Sequence, residues 1–121
     1  MPTNIADESI LTSIRKLFVE SDDTSFDDDF IMHINSTFTI LNQLGVGNEG
    51  FMITDTTSKW SDFLGASDLP FLAATKTYVY DSVKLIFDPP SNAFLVSAIE
   101  KRMKEYEWRL NVQVDPKAYN V

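Results

Sequence analysis

The chain has 121 residues, with 18 Asp plus Glu against 10 Lys plus Arg, a formal net charge of -8, 44% hydrophobic residues and no Cys. This is enough apolar material and length for one domain that folds alone, while the missing Cys excludes disulfide scaffolds, thiol catalysis and Cys-ligated zinc. No apolar run approaches the roughly 20 residues of a membrane span, and Met1 to Asp7 lacks the basic and apolar parts of a signal peptide, so a soluble product made in a cytoplasm is expected, with no membrane contact.

Periodicity predicts a first helix over about Ser9 to Val19, with Ile10, Ile14, Leu17 and Phe18 on one stripe, Leu11 beside it, and Asp7 or Ser9 as cap. An acidic run follows: Glu20, Asp22, Asp23, Asp27, Asp28 and Asp29. It makes a solvent-facing cap of negative potential that steers partners and repels nucleic acid. The second helix begins near Ser25, where the Ser-x-x-Asp spacing to Asp28 reads as a capping-box variant and Asp27 to Asp29 suit the positive end of the dipole. Its stripe is Phe30, Ile34, Phe38 and Leu41, and Gly45 is the expected left-handed stop.

Between Val46 and Ser67 the helical pattern lapses into a long loop with clustered Gly, Thr and Asp. Phe51, Met52 and Ile53 suit a short extended segment, and Ser58 to Leu64 one or two helical turns stopped by Gly65. Trp60, Phe63 and Leu64 either close the open end of a helical core or anchor a partner. The third long helix starts at Asp68-Leu69-Pro70, carries Leu72, Thr75, Val79, Val83 and Ile86 on one face, and ends at Asp88-Pro89-Pro90. Ser91 or Asn92 caps the last helix, whose stripe of Leu95, Ile99, Met103 or Arg102, Tyr106 and Leu110 reaches about Asn111. Glu100 with Lys104, Lys101 with Glu105, and Glu105 with Arg109 stand at i, i+4 as helix pairs. The fold class read from these elements is all-α: a small bundle of four main helices, with the long loop between the second and third and an extended tail over 112–121 after a domain of 1–111.

Charge is unevenly divided. Residues 1–68 hold 12 acidic and 3 basic side chains, and residues 69–121 hold 6 and 7. Lys101, Arg102 and Lys104 alternate with acids, unlike a DNA-binding stripe. His33, the single histidine, has no nucleophile signature around it, and the Asp22 to Asp29 run lacks the register of a calcium loop. Gly45-Val46-Gly47-Asn48-Glu49-Gly50 spells G-x-G-x-x-G but follows a helix and precedes a loop, the wrong context for a dinucleotide fold. No catalytic residue, metal site or cofactor is expected.

Six blocks taken in order carry a resemblance: Ile10-Leu11-Thr12-Ser13-Ile14-Arg15-Lys16-Leu17, Asp22-Asp23-Thr24-Ser25-Phe26-Asp27, Leu41-Asn42-Gln43-Leu44-Gly45-Val46-Gly47, Trp60-Ser61-Asp62-Phe63-Leu64-Gly65, Phe87-Asp88-Pro89-Pro90 and Glu107-Trp108-Arg109-Leu110-Asn111-Val112. Over about Ile5 to Asp115 the chain resembles the small head-to-tail connector (adaptor, or head completion) proteins of tailed bacteriophages. The resemblance implies a non-catalytic helical virion protein that assembles as a homo-oligomeric ring, expected to be dodecameric, beneath the portal protein. Such a ring extends the DNA channel and receives a stopper or other neck or tail protein; DNA passes without specific binding. The implied location is the neck of the virion, after assembly in the host cytoplasm. Carried onto this sequence, the portal-facing candidates are Val112, Val114, Asp115, Pro116 and Tyr119. The candidates for the channel or the next ring are Phe51, Met52, Ile53 and Trp60. Part of Glu20 to Asp29 or of Glu49 to Asp62 is expected to face the channel, and the split in charge to supply two complementary patches for a ring. Two other classes stand beside this reading: an acidic intracellular binding module, such as a DNA mimic or inhibitor, and a small carboxylate enzyme.

Overall fold

The computed structural model describes the backbone of residues 5–114 and the side chains of residues 6–112. After a 3-10 turn at Ile5–Asp7 come α1 (Ile10–Arg15), α2 (Asp27–Gln43), α3 (Trp60–Asp68), a second 3-10 turn at Leu69–Phe71, α4 (Leu72–Phe87) and α5 (Ala93–Val114). The all-α class is as expected, and among the described residues no strand forms. A lone antiparallel bridge joins Ser9 to Lys59. Helix α4 lies between α2 and α5 and packs on both; α1 packs on α2, and α3 closes the end of the bundle against α4.

Helix α1 is shorter than the expected Ser9 to Val19. Ser9 does cap it, its Oγ accepting from the Thr12 N–H at 3.2 Å. The buried Arg15 then stops it: its guanidinium donates to both carboxylate oxygens of Asp27 at 2.9 and 2.6 Å and to the Ser21 carbonyl at 3.0 Å. Winding the connection around this cation tightens the chain, so that Leu17 and Phe18 bond three residues back to Ile14 and Arg15. The capping box expected at Ser25 is likewise not formed. The Ser25 N–H goes to the Asp23 carboxylate at 2.9 Å and Phe26 takes the cap position without a side-chain bond, so α2 begins at Asp27.

The far end of α2 follows the expectation. Gly45 has φ 91°, its N–H bonds the Asn42 carbonyl at 3.0 Å, and the Val46 N–H reaches back to the Leu41 carbonyl at 2.9 Å. These are the two bonds of a Schellman stop, with buried Leu41 and Val46 as its apolar pair. In α3, Gly65 at φ 68° and ψ 176° breaks the helix where a stop was expected, and a second short stretch then leads to Asp68.

The core gathers Ile10, Leu11 and Ile14 of α1, the Phe30, Ile34, Phe38 and Leu41 stripe of α2, Trp60, Phe63 and Leu64 of α3, and Tyr78, Val79 and Val83 of α4. The competing readings of Trp60, Phe63 and Leu64 resolve toward the core, all three being at most 1% exposed. Three apolar residues of the expected stripes are exposed instead: Leu17 at 46%, Ile86 at 58% and Leu95 at 53%. Helix α5 runs to Val114, beyond the expected end near Asn111, so Val112 and Val114 belong to a helix rather than to an extended tail.

Gly47 is the tightest point of the loop. Its φ is 83°, and a Cβ there would lie 2.3 Å from the Phe63 ring. Gly47→Ala combines a left-handed strain with an overpacked aromatic and is expected to cost about 2–4 kcal/mol, read as a lower urea midpoint. Gly50→Ala is the control, since its Cβ would meet nothing within 4 Å and only the strain of φ 77° remains.

Candidate interaction surfaces

The long loop is a built structure. Asn35 on α2 clasps Ile53, its Nδ2 donating to the Ile53 carbonyl at 3.0 Å and its Oδ1 accepting the Ile53 N–H at 2.8 Å. Asn42, two turns on, donates to the Val46 and Asn48 carbonyls at 3.0 and 3.3 Å and accepts from the Gly50 N–H at 3.2 Å. From the other side Asn48 donates to the Asp62 carbonyl at 2.7 Å, and the Asp68 carboxylate accepts the Gly47 N–H at 2.8 Å. Side-chain amides thus supply the partners that a sheet ladder would otherwise give this extended stretch. The four loop candidates separate accordingly: Ile53 and Trp60 are buried, Phe51 is half-buried against Phe38 and Phe63, and Met52 is 66% exposed. Ile53 and Trp60 therefore hold the loop to the core, and Met52 with the edge of Phe51 is what the folded subunit presents.

The acidic run is also divided by its contacts. Asp27 is held by Arg15, whose guanidinium pKa is raised first by that hydrogen bond. Asp23 closes a turn over Ser25, and the hydrogen bonds from Ser25 hold its carboxyl below the usual range; Thr57 does the same to Asp55 in the long loop. Glu20, Asp22, Asp28 and Asp29 are exposed and form no ion pair with any described residue. Among the described residues no group of three or more His, Cys, Asp or Glu side chains converges on a metal-sized site, and no side chain hydrogen-bonds the His33 ring.

Helix α5 is fixed to α4 by two polar contacts. The fully buried Asp81 takes the Arg102 guanidinium through both oxygens, the Nε contact being 2.8 Å, and this raises the Arg102 pKa. The Tyr78 hydroxyl donates to Glu107 at 2.8 Å, and burial followed by that bond pushes the phenol pKa upward. The raised value has a pH consequence. The contribution of Tyr78 is full below the unfolded phenol pKa of about 10 and is lost as pH rises toward the folded value. A fall in melting temperature above about pH 10 that is weaker in Tyr78→Phe is therefore expected. Of the i, i+4 pairs expected on α5, only Arg109 with Glu105 closes, at 2.7 Å, leaving Lys101 and Lys104 without ion-pair partners among the described residues.

Inward, α5 presents Met103, Tyr106 and Leu110 to the core. Outward, it carries Phe94 at 83% exposure and Trp108 at 68%, neither legible as surface from the inward stripe alone. A hollow of about 600 Å³ opens beside Phe94, lined also by Ala93, Ser97, Ala98 and Lys101. Among the portal-facing candidates, Val112 is half-buried near the end of α5; Val114 is the last helical residue, and Asp115, Pro116 and Tyr119 lie outside the described residues. No helix among the described residues is long and apolar enough to cross a membrane.

Comparison with known proteins gives one match and two blanks. No curated protein and no solved structure matches the chain. A family model described as phage connector protein matches residues 10–117, which takes in all five α-helices and the pinned loop. The chain belongs to the phage connector protein family.

Proposed function

We propose that this connector is a structural virion protein that forms an oligomeric ring under the portal, extends the DNA channel and receives the next neck or tail component. The observation that carries the reading is the family match over residues 10–117. The surface is consistent with it: a subunit whose long loop is tied down by amides offers a stable platform, and its exposed aromatics suit protein contacts better than chemistry. The segment from Val112 through Val114, Asp115, Pro116 and Tyr119 is assigned to the portal, and Met52 with Phe51 to the channel side or the next ring. The exposed carboxylates Glu49, Asp55 and Asp62 near that loop keep DNA from adhering as it passes. The portal protein, a stopper or other neck protein and further copies of the chain are the partners, in the neck of the virion after assembly in the host cytoplasm.

Light scattering on an eluting peak tests this, with the protein alone and after mixing with the assembled portal of the same genome. A gain of about a ring's worth of copies on the portal is expected. Deletion of residues 115–121, which spares every described side chain, should abolish the gain without altering the helical circular dichroism signal. A folded protein that never joins the portal would overturn the proposal in favour of an acidic binding module.

A further inference from the structure

We infer that the outward face of α5 is a docking surface for the outward face of α2 on a second copy of the chain, a head-to-tail contact. This rests on the ring-forming reading above and names the surfaces that would form the ring. Positions 94, 98, 101, 105 and 108 recur at spacings of three and four, opposite the inward Met103, Tyr106 and Leu110, so they share the solvent side of α5. That side ends in two exposed aromatics, Phe94 and Trp108, about 21 Å apart along the axis, with the small Ala98, the unpaired Lys101 and Glu105, whose charge is taken up by Arg109, between them. Lys104 lies beside it, and Glu100 on its flank.

Helix α2 has a matching solvent side. Asp29, Met32, Ser36, Thr39 and Gln43 lie opposite the buried Phe30, Ile34 and Leu41, and all of them are exposed. Its apolar part is Met32, 57% exposed, with Ile40 at 41% on the edge; its charged part is Asp28 and Asp29, which have no counter-ion among the described residues. One face therefore has aromatic anchors and two unpaired ammonium groups, and the other has exposed aliphatic side chains and two unpaired carboxylates. The two helices flank α4, so one molecule cannot join the faces to each other, and a second copy can. Two-fold self-pairing of α5 is disfavoured by its own sequence. An antiparallel match of Phe94 to Trp108 sets Lys101 against Lys101, a like-charge contact, whereas α2 offers carboxylates. A contact between two different faces propagates, closing into a ring when the rotation allows it.

The absence of native Cys makes the test direct. Ala98→Cys on α5 and Ser36→Cys on α2 are both exposed substitutions, and a short bis-maleimide joins only thiols that approach one another. The Ala98→Cys/Ser36→Cys variant should give a ladder of multimers. An equimolar mixture of the two single variants should give a cross-linked dimer that neither gives alone. Lys101→Glu/Lys104→Glu introduced into the ladder-forming chain should remove the ladder at low salt, and adding Asp28→Lys/Asp29→Lys to that same chain should restore it, with circular dichroism showing each variant folded. Cross-linking of Ala98→Cys alone would overturn the inference in favour of a two-fold contact, and so would a folded double-Cys variant that gives no ladder either free or on the portal. Running the reaction in both states separates the two readings: portal binding without a ladder overturns this contact alone, and a ladder without portal binding overturns the connector role alone.

Discussion

Trp60→Ala is expected to lower stability by about 3–5 kcal/mol, a large share of the 5–15 kcal/mol that a domain of this size has in total. The indole is fully buried, and its Nε1 donates at 2.9 Å to the Ser13 hydroxyl, which itself donates to the Ile10 carbonyl. Truncation thus leaves a cavity between α1 and α3 and deprives Ser13 of its donor. The edge contact with Phe38, at 6.3 Å between ring centroids, is lost as well. Urea unfolding followed by tryptophan emission and circular dichroism checks it, the midpoint falling with little change in slope. A drop below about 1 kcal/mol would mean that the neighbouring Phe38, Phe51 and Phe63 rings refill the space. Met52→Ala should leave the midpoint within about 0.5 kcal/mol, because that side chain touches mostly water. The pair separates the part of the loop that holds the fold from the part available to a partner.

Arg102→Met is expected to cost about 2–3 kcal/mol, because it strands the Asp81 carboxylate, which has no exposure at all. The magnitude lies under the full cost of breaking a buried pair because the Arg102 side chain is 49% exposed and water follows it to the site. Asp81→Leu combined with Arg102→Met should recover most of the loss, since removing both charges also removes the desolvation that the pair had to overcome. Thermal melts of the wild type, both single variants and the double variant form the cycle. Equal stability of Arg102→Met and wild type would show that water alone satisfies Asp81.

What the sequence made legible follows from how local each cause is. The α2 stripe, the Gly45 stop, the Gly65 break and the Pro89-Pro90 turn are set by neighbouring residues, and each stands where the pattern placed it. The early end of α1 comes from Arg15 reaching across to Asp27, a partner 12 positions away that no local pattern reveals, and the late start of α2 from Ser25 giving its N–H to Asp23 rather than forming a capping box. Nothing in its neighbours singles out Asp81, and only the packing of α5 on α4, with Arg102 on its carboxylate, makes it a buried acid. The charged run on α5 reads as three internal pairs, yet among the described residues only Glu105 with Arg109 closes, which leaves Lys101 and Lys104 unpaired, while Arg102 turns to Asp81 on α4. The inward stripes of α4 and α5 are each one member too long: at that end of the hairpin Phe87 packs on Phe30, while Ile86 and Leu95 are exposed. Trp60 satisfied both readings of a loop tryptophan until its burial decided between them. The sequence reads as an extended tail from Val112 because Asp115-Pro116 lies close by, whereas the helix takes in three further residues, Val112 to Val114, before it.

The amide clasps of Asn35 and Asn42 divide the long loop into parts with different freedom to vary. From Val46 to Ile53 the backbone is bonded to α2 at both ends, so its length is fixed by the distance between those two asparagines. Beyond Ile53 the stretch Thr54–Thr57 is exposed, and its side-chain bonds run only within itself, between Asp55 and Thr57, until Ser58 meets Ile10. Loop-closure entropy rises by only about 0.6 kcal/mol for each doubling of length. Extra residues at Asp55–Thr57 would therefore lengthen this segment while the clasped part and the core keep their positions. Diversity of length among relatives, or an inserted reporter peptide, has its natural place there.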